Sequence, residues 1–273
     1  MPVLNAASRA SLAQVREDVE SAAASVADRP AVADAVFAVA GVLAGNPGLR
    51  RTLAEASTQA DDRAGLVRRL FGGRVPAAAV DLVAGVVAHR WSAPWDLVDA
   101  VEGVGFQLLL VTAEQDGHLE AVEDQLFRFG RIVAGDSGLR SALDDKSVPA
   151  DTRAGLATRL LSGRADPVTV ALVAQAVRST ASPSTELAID DLLELTAARR
   201  ERSIATVTSA VPLSAAQTDR LAAALSRVYG RTIAVRVDVD PAIRGGLVVR
   251  CGDEVIDGSV ASRLAAARNG LGA

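Results

Sequence analysis

Apolar residues recur every three or four positions through the first part of the chain, a spacing typical of amphipathic helices. Two such stripes come first, separated by the break at Arg29-Pro30, and the second stripe ends at Gly45. Their members are Leu12, Val15, Val19 and Val26, then Val32, Val36, Val39 and Leu43. The pattern therefore predicts short, packed helices from the start of the chain.

Three more helices are predicted before residue 116. Asp61 suits the cap of a helix that stops at Gly72-Gly73, and Pro76 suits the first turn of the next helix. Pro94 opens a longer apolar segment, which we interpret as one long helix near 95–116.

The sequence repeats itself at a fixed offset of 90 residues. Residues 31–90 align with residues 121–180 without a gap, and 26 of the 60 aligned positions are identical. The densest match sets DDRAGLVRRLFGGR at 61–74 against DTRAGLATRLLSGR at 151–164. A match of this density at a fixed period indicates that one structural unit occurs twice.

The C-terminal part has a different pattern. A helix is expected from Ser182-Pro183 to about Arg200, followed by a strand within RSIATVTSAVPL at 202–213. Ser214 and Gln217 form a capping box for another helix, and TIAVRVDV at 232–239 alternates like a strand. Gly230 is expected to end the capped helix, and strands then alternate with turns, one of them at Gly252-Asp253, until a final helix.

The predicted fold class is mostly α, with two tandem duplicated helical bundles followed by a small α+β C-terminal domain that holds a short mixed sheet with helices. We place the first bundle at 1–105, the second at 106–200 and the C-terminal domain at 201–273. The long helix near 95–116 joins the bundles, as the last helix of one and the first helix of the other.

The stretch DPAIRGGLVVRCGDEVIDGS at 240–259 has glycine turns that could hold a phosphate or present a nucleophile. Gly245-Gly246 leads into a strand, however, and a phosphate loop leads into a helix N-terminus. Asp257-Gly258-Ser259 precedes a helix, but no histidine lies nearby in the sequence to activate Ser259. We interpret the glycines as turn residues and Ser259 as a helix cap.

Composition argues against several classes of protein. The 29 basic and 33 acidic residues give a net charge of −4, which provides no field that attracts nucleic acid. Cys251, His89 and His118 lack the spacing of a zinc site. The longest apolar run, at 35–45, is shorter than a membrane span, and we expect no export signal because the first residues lack its basic-then-apolar pattern. We expect no cofactor, no metal and no catalytic residue.

The motif Arg-Ala-Gly-Leu occurs twice, at 63–66 and 153–156. A paired anion site is one interpretation. The alternative, which we favour, is that Arg63 and Arg153 are solvated and that both copies retain the motif because they share a fold.

The C-terminal third resembles the delta subunit of F-type ATP synthase, the oligomycin-sensitivity-conferring protein family. The resemblance rests on ATVTSAVPLS at 205–214 with Gln217, and on VDPAIRGGLVVRCGDEVIDGSVASRL at 239–264. Its signature positions include Asp240, Pro241, Gly245, Gly246, Asp257, Gly258 and Ser259. Ordinary members have one helical bundle, so this chain is similar to the longer form of high-GC Gram-positive bacteria.

The resemblance implies a non-catalytic stator subunit of the peripheral stalk. It would link the alpha/beta catalytic head to the b subunits, so that rotation drives proton-coupled ATP synthesis. The implied partners are alpha subunits, through their N-terminal helices, and b-type stalk subunits. The implied location is the cytoplasmic face of the cell membrane, peripheral and held there only through the complex.

Small residues are dense on the helical faces, which predicts either tight internal packing or a groove for a partner helix. By analogy with the family, the candidate walls in the first bundle are its first and fourth helices, with Leu12, Val15, Val19, Val80, Val83 and Val87. In the second bundle they are Val101, Leu108, Leu109, Val170, Val173 and Val177. Either bundle could hold the alpha helices.

Two other functions are compatible with small helical bundles or with the glycine-rich stretch. An RNA-binding or transcription adaptor requires a basic stripe, but residues 1–200 carry 20 basic and 26 acidic groups. A hydrolase centred on Asp257 and Ser259 requires an activating base, which the neighbouring sequence lacks.

Overall fold

The computed structural model describes residues 6–23, 25–229, 233–241, 243, 245–251 and 254–260. The chain divides into two compact units, Met1–Glu194 and Leu195–Ala273. The described residues of the larger unit are helical, and those of the smaller unit form a sheet with one complete helix. The predicted fold class, mostly α with a small mixed sheet at the C-terminus, is confirmed.

The helices of the larger unit range from eight to 22 residues, and α6 is the longest of those described. In chain order they are α1 (Ala6–Ala23), α2 (Arg29–Gly45), α3 (Pro47–Ala54), α4 (Ala60–Phe71), α5 (Ala77–Ala88), α6 (Pro94–Gln115), α7 (Leu119–Gly135), α8 (Ser137–Asp144), α9 (Ala150–Leu161), α10 (Pro167–Arg178) and α11 (Thr185–Arg202), which continues past residue 194. The long helix α6 occupies the segment for which the sequence predicts one. The eight-residue helices α3 and α8 are not anticipated by the sequence pattern.

The helix bounds repeat along the chain. Helices α2 to α5 begin and end 90 residues before α7 to α10, for example Arg29–Gly45 against Leu119–Gly135. Gly73 and Gly163, which follow α4 and α9, share φ values of 72° and 71°. We call α1 to α6 the first helical unit and α6 to α11 the second helical unit.

Helix α6 belongs to both helical units. It packs against α1, α2, α3 and α5 of the first unit and against α7 and α10 of the second. Helices α2 and α6 lie close together at Gly105, where an added Cβ would overlap the Phe37 ring of α2. Phe37 also packs against Phe106, with ring centroids 5.2 Å apart and planes tilted by 58°. A small residue at position 105 thus allows α2 and α6 to pack closely.

Two buried arginines correct the interpretation of the repeated motif. Arg63 and Arg153 are only 4% and 5% exposed, so the expectation that they are solvated is wrong. Arg63 donates to five backbone carbonyls, including Val87 O at 2.8 Å and Ala88 O at 2.9 Å. Arg153 donates to three, among them Val177 O at 3.0 Å. Because Val87 and Ala88 lie at the end of α5 and Val177 at the end of α10, each arginine satisfies acceptors that a helix C-terminus leaves free.

The helix starts differ in detail from the predictions. Helix α4 begins at Ala60 after Gln59, so Asp61 lies in its first turn and is not the cap. Pro76 precedes α5 as its N-cap residue. An aspartate in the first turn still interacts favourably with the positive end of the helix dipole.

The smaller unit is built on a four-stranded sheet in the order β2-β1-β3-β4. Its elements are β1 (Ile204–Ser209), α12 (Ala215–Tyr229), β2 (Ala234–Val239), β3 (Leu247–Cys251) and β4 (Glu254–Asp257). Strands β1 and β2 are parallel, and the other two pairings are antiparallel. Residues buried between α12 and the sheet form its core: Ala205, Val207, Leu225, Ile233, Val249 and Cys251.

The predicted capping box at the start of α12 is present. Ser214 Oγ accepts from the Gln217 backbone nitrogen at 3.3 Å, and Gln217 Oε1 accepts from the Ser214 nitrogen at 2.9 Å. The predicted end of this helix at Gly230, the turn at Gly252-Asp253 and the final helix after Val260 lie outside the described residues.

One helix pair passes a membrane-span test by length and composition. Among the described residues no single helix passes, and α2 and α3 pass only as a pair bent by 105°. Helix α2 buries seven of its residues inside the larger unit, as a core helix does.

Candidate functional site

An open groove runs along the surface of the first helical unit between α1 and α5. Its volume is about 330 Å³. Its lining residues are Val15, Asp18, Val19, Ala22, Ser25, Val26, Ala78, Asp81, Leu82, Gly85 and Val86. The groove therefore combines one wall from the first helix, including the turn that follows it, with one wall from the fifth.

The floor of the groove is apolar and its rim is acidic. Val15, Val19 and Val86 are buried at 2% to 3% exposure. The Asp18 and Asp81 side chains are 58% and 70% exposed. Asp18 Oδ2 lies 3.2 Å from His89 Nε2, and Asp81 Oδ1 lies 3.6 Å from Arg68 Nε. This arrangement suits an amphipathic helix whose apolar stripe is flanked by basic side chains.

Small side chains keep the groove open. Ala22, Ala78 and Gly85 are among its lining residues. A Cβ at Gly85 would meet nothing within 4 Å, so a side chain there would extend into free space. The helices can consequently form walls without filling the space between them.

The predicted wall residues of the first unit fall into two groups. Val15 and Val19 line the groove, whereas Leu12 is half-buried beside it. Val80, Val83 and Val87 are buried in the core, and the neighbouring residues of α5 face the groove instead. The apolar pattern does not indicate these neighbours, because the most apolar stripe of a helix is the one that faces its own core.

The predicted wall residues of the second unit are almost all buried. Val101, Leu108, Leu109, Val173 and Val177 are at most 1% exposed, and Val170 is half-buried. They therefore belong to the core of the larger unit and not to an open surface.

A buried polar contact joins α6 and α10. Glu102 is 7% exposed, and its carboxylate accepts from Gln175 Nε2 at 3.2 Å and from Ser179 Oγ at 2.5 Å. Burial raises the pKa of Glu102 above its ordinary value, although the two hydrogen bonds act in the opposite direction. Neither the resemblance nor the apolar pattern indicates this contact.

Asp99 lies one turn before Glu102 on the same helix. Burial, with smaller contributions from the charges of Glu102 and Asp96, raises the pKa of Asp99 to about 7. The start of α6 thus carries a carboxyl group that titrates near neutral pH.

The signature residues of the smaller unit form a backbone corner. Gly245 and Gly246 have φ values of 123° and 83°, a region that favours glycine. A Cβ at Gly246 would overlap the Gly258 carbonyl, and Val260 N donates to Gly245 O at 2.9 Å. Asp240 N donates to Ser209 O at 2.9 Å, and Pro241 is exposed beside it. The glycines permit two chain segments to pack backbone against backbone.

Asp257 and Ser259 form a local turn. Asp257 Oδ1 accepts from Ser259 N at 2.9 Å, and hydrogen bonds from the hydroxyl and the backbone of Ser259 lower the pKa of Asp257. The histidines of the chain, His89 and His118, belong to the larger unit. The turn thus accounts for both side chains without a catalytic role.

Comparisons with known proteins identify the family. The sequence model described as ATP synthase delta (OSCP) subunit matches residues 107–271. A protein of Kineococcus radiotolerans named ATP synthase subunit delta is 45% identical over 96% of this chain and 96% of its own length. The chain belongs to the ATP synthase delta (OSCP) subunit family.

Two other delta-subunit relatives are similar over nearly their whole length. The protein of Streptomyces griseus subsp. griseus is 43% identical over 96% of this chain and 97% of its own. The protein of Rhodococcus opacus is 44% identical over 99% of this chain and 100% of its own. The predicted family and the predicted role as a subunit of ATP synthase are thereby confirmed.

The family model and the delta-subunit relatives cover different parts of the chain. The model begins at residue 107, inside α6, and extends over the second helical unit and the sheet. The relatives also cover most of the first helical unit. The first unit is therefore shared with these relatives and lies outside the region that the model matches.

Proposed function

We propose that this chain is the peripheral-stalk subunit that ties the catalytic head of an ATP synthase to its membrane-anchored stalk. Family membership over nearly the full length carries the proposal. The subunit performs no chemistry itself. It resists the torque of the central shaft so that rotation drives ATP synthesis in the head.

The partner on the head side is the N-terminal helix of an alpha subunit. A groove with an apolar floor and an acidic rim supports this assignment, because an amphipathic helix with basic side chains beside its apolar stripe could bury that stripe there. Burial of apolar surface suits a contact under repeated load better than exposed ion pairs, which salt weakens.

The partner on the stalk side is the b-type subunit, held by the smaller unit. The family signature supports this assignment, since its glycines shape a tight corner at the end of the sheet. The complex lies on the cytoplasmic face of the membrane, and this subunit meets the membrane only through its partners.

We further propose that the two helical bundles arose by duplication. Their 26 identical positions out of 60 and their helix bounds at a constant offset support this. The domains then run from 1–105, 106–200 and 201–273, with α6 as the rigid joint between the first two.

The decisive experiment compares membranes from cells with and without the subunit. Membranes from cells that lack it should release ATPase activity into the soluble fraction on washing, and they should lose ATP-driven proton pumping. Adding back the purified chain should restore membrane-bound ATPase activity and ATP-driven proton pumping. Membranes that keep coupled pumping without the chain would contradict the proposal.

A further inference from the structure

The first helical unit has an open groove between α1 and α5, whereas the corresponding surface of the second unit is buried. The offset of 90 residues pairs Gly85 with Gln175, Asp18 with Leu108 and Asp81 with Ala171. Gly85 and Asp18 are exposed, whereas Gln175 is 7% exposed and Leu108 is fully buried. The open face of α5 therefore corresponds to a covered face of α10.

The shared helix explains the difference. The same offset places α1 on residues 96–113 of α6, and Val15 on Gly105. Val15 lines the open groove, but Gly105 lies under the Phe37 ring of α2. Because α6 already packs against the first unit, it cannot offer the second unit the free wall that α1 offers the first.

The polar contact between α6 and α10 closes the remaining space. Glu102 accepts hydrogen bonds from Gln175 and Ser179, which hold the two helices together. The corresponding residues of the first unit are Leu12, Gly85 and His89, which cannot form the same contact. In the second unit, the two helices that correspond to the groove walls are therefore hydrogen-bonded to each other.

We propose that only the first helical unit accepts the alpha-subunit helix, and that the second unit is a closed connector. This inference rests on the proposed function. It is not what the family match alone suggests, since the matched region 107–271 contains the second unit and omits the first. The packing of α6 against α10 closes the second unit, so we assign the alpha-subunit helix to the groove of the first unit.

Charge complementarity defines the occupant further. Asp18 and Asp81 stand on opposite walls of the groove, and the second unit has Leu108 and Ala171 in their places. The accepted helix carries Lys or Arg on both sides of its apolar stripe, and its affinity falls as salt rises.

Binding of a synthetic peptide to the full chain tests the inference. The probe is the N-terminal helix of the alpha subunit from the same organism, titrated by calorimetry. We expect one peptide per chain. Gly85→Gln introduces the residue of the second unit into the groove and should weaken binding by roughly tenfold or more, equal to about 1.4 kcal/mol.

A matched control uses the same substitution outside the groove. Gly41 is exposed on α2, and a Cβ there meets nothing within 4 Å, as at Gly85. Gly41→Gln should leave the affinity unchanged, and neither variant should lower the melting temperature, because glutamine favours helix more than glycine does.

The outcomes separate the inference from the proposed function. Two peptides per chain, or unchanged affinity in Gly85→Gln, would overturn the restriction to the first unit while leaving the partner intact. A wild-type chain that binds no peptide would overturn the proposed partner, and the inference with it.

Discussion

The buried guanidinium of Arg63 should contribute strongly to the stability of the fold. It donates to five backbone carbonyls, and the hydrogen bond to Val87 O is buried while the other four are partly buried. Arg63→Met should lower the free energy of unfolding by about 3 kcal/mol, since unsatisfied buried acceptors are costly. Urea denaturation measures the change. The control Arg69→Met, at an exposed position of the same helix, should stay within about 0.5 kcal/mol of wild type.

Asp99 should make stability depend on pH near neutrality. Its folded pKa, about 7, lies above the ordinary value of 3.8, so the folded state binds the proton more tightly than the unfolded state does. The contribution is present in full below pH 4 and is lost as pH rises towards 7. Asp99→Asn, which resembles the protonated form, should therefore gain stability relative to wild type as pH increases.

Urea denaturation of wild type and Asp99→Asn between pH 4 and 8 measures the difference in their free energies of unfolding. Comparing the variant with wild type at each pH removes the titration of other groups that the two chains share. A difference that does not change with pH would contradict the assignment to Asp99.

At the scale of elements, the contact between α2 and α6 depends on one glycine. Gly105→Ala should destabilise the chain by about 1 to 3 kcal/mol, because the added methyl group overlaps Phe37. Gly103 lies on the same helix, and a Cβ there meets nothing within 4 Å. Gly103→Ala should instead stabilise by up to about 1 kcal/mol. Thermal unfolding of the pair distinguishes packing from helix propensity, and equal shifts would contradict the contact.

Apolar periodicity predicts the longer helices well and the groove only in part. Helix α6 follows from a continuous stripe that starts after Pro94, whereas α3 and α8 span eight residues each, too few for the stripe to stand out. Gly85 and Asp81 line the groove but resemble ordinary surface residues in the sequence. The burial of Arg63 does not follow from the local sequence pattern, because its acceptors lie up to 26 residues away along the chain.

At the scale of the whole molecule, the open groove should determine how firmly the head is held. If the first unit carries the load, Gly85→Gln expressed in cells should loosen the head while leaving the subunit folded and present in the membrane. Washed membranes should then release more ATPase activity than membranes with Gly41→Gln, and ATP-driven proton pumping should fall in the same proportion. Release and pumping should change together because a head that is not held by the stator turns with the shaft. ATP hydrolysis then continues without proton pumping. Membranes in which both variants hold the head as wild type does would show that the load passes through another surface.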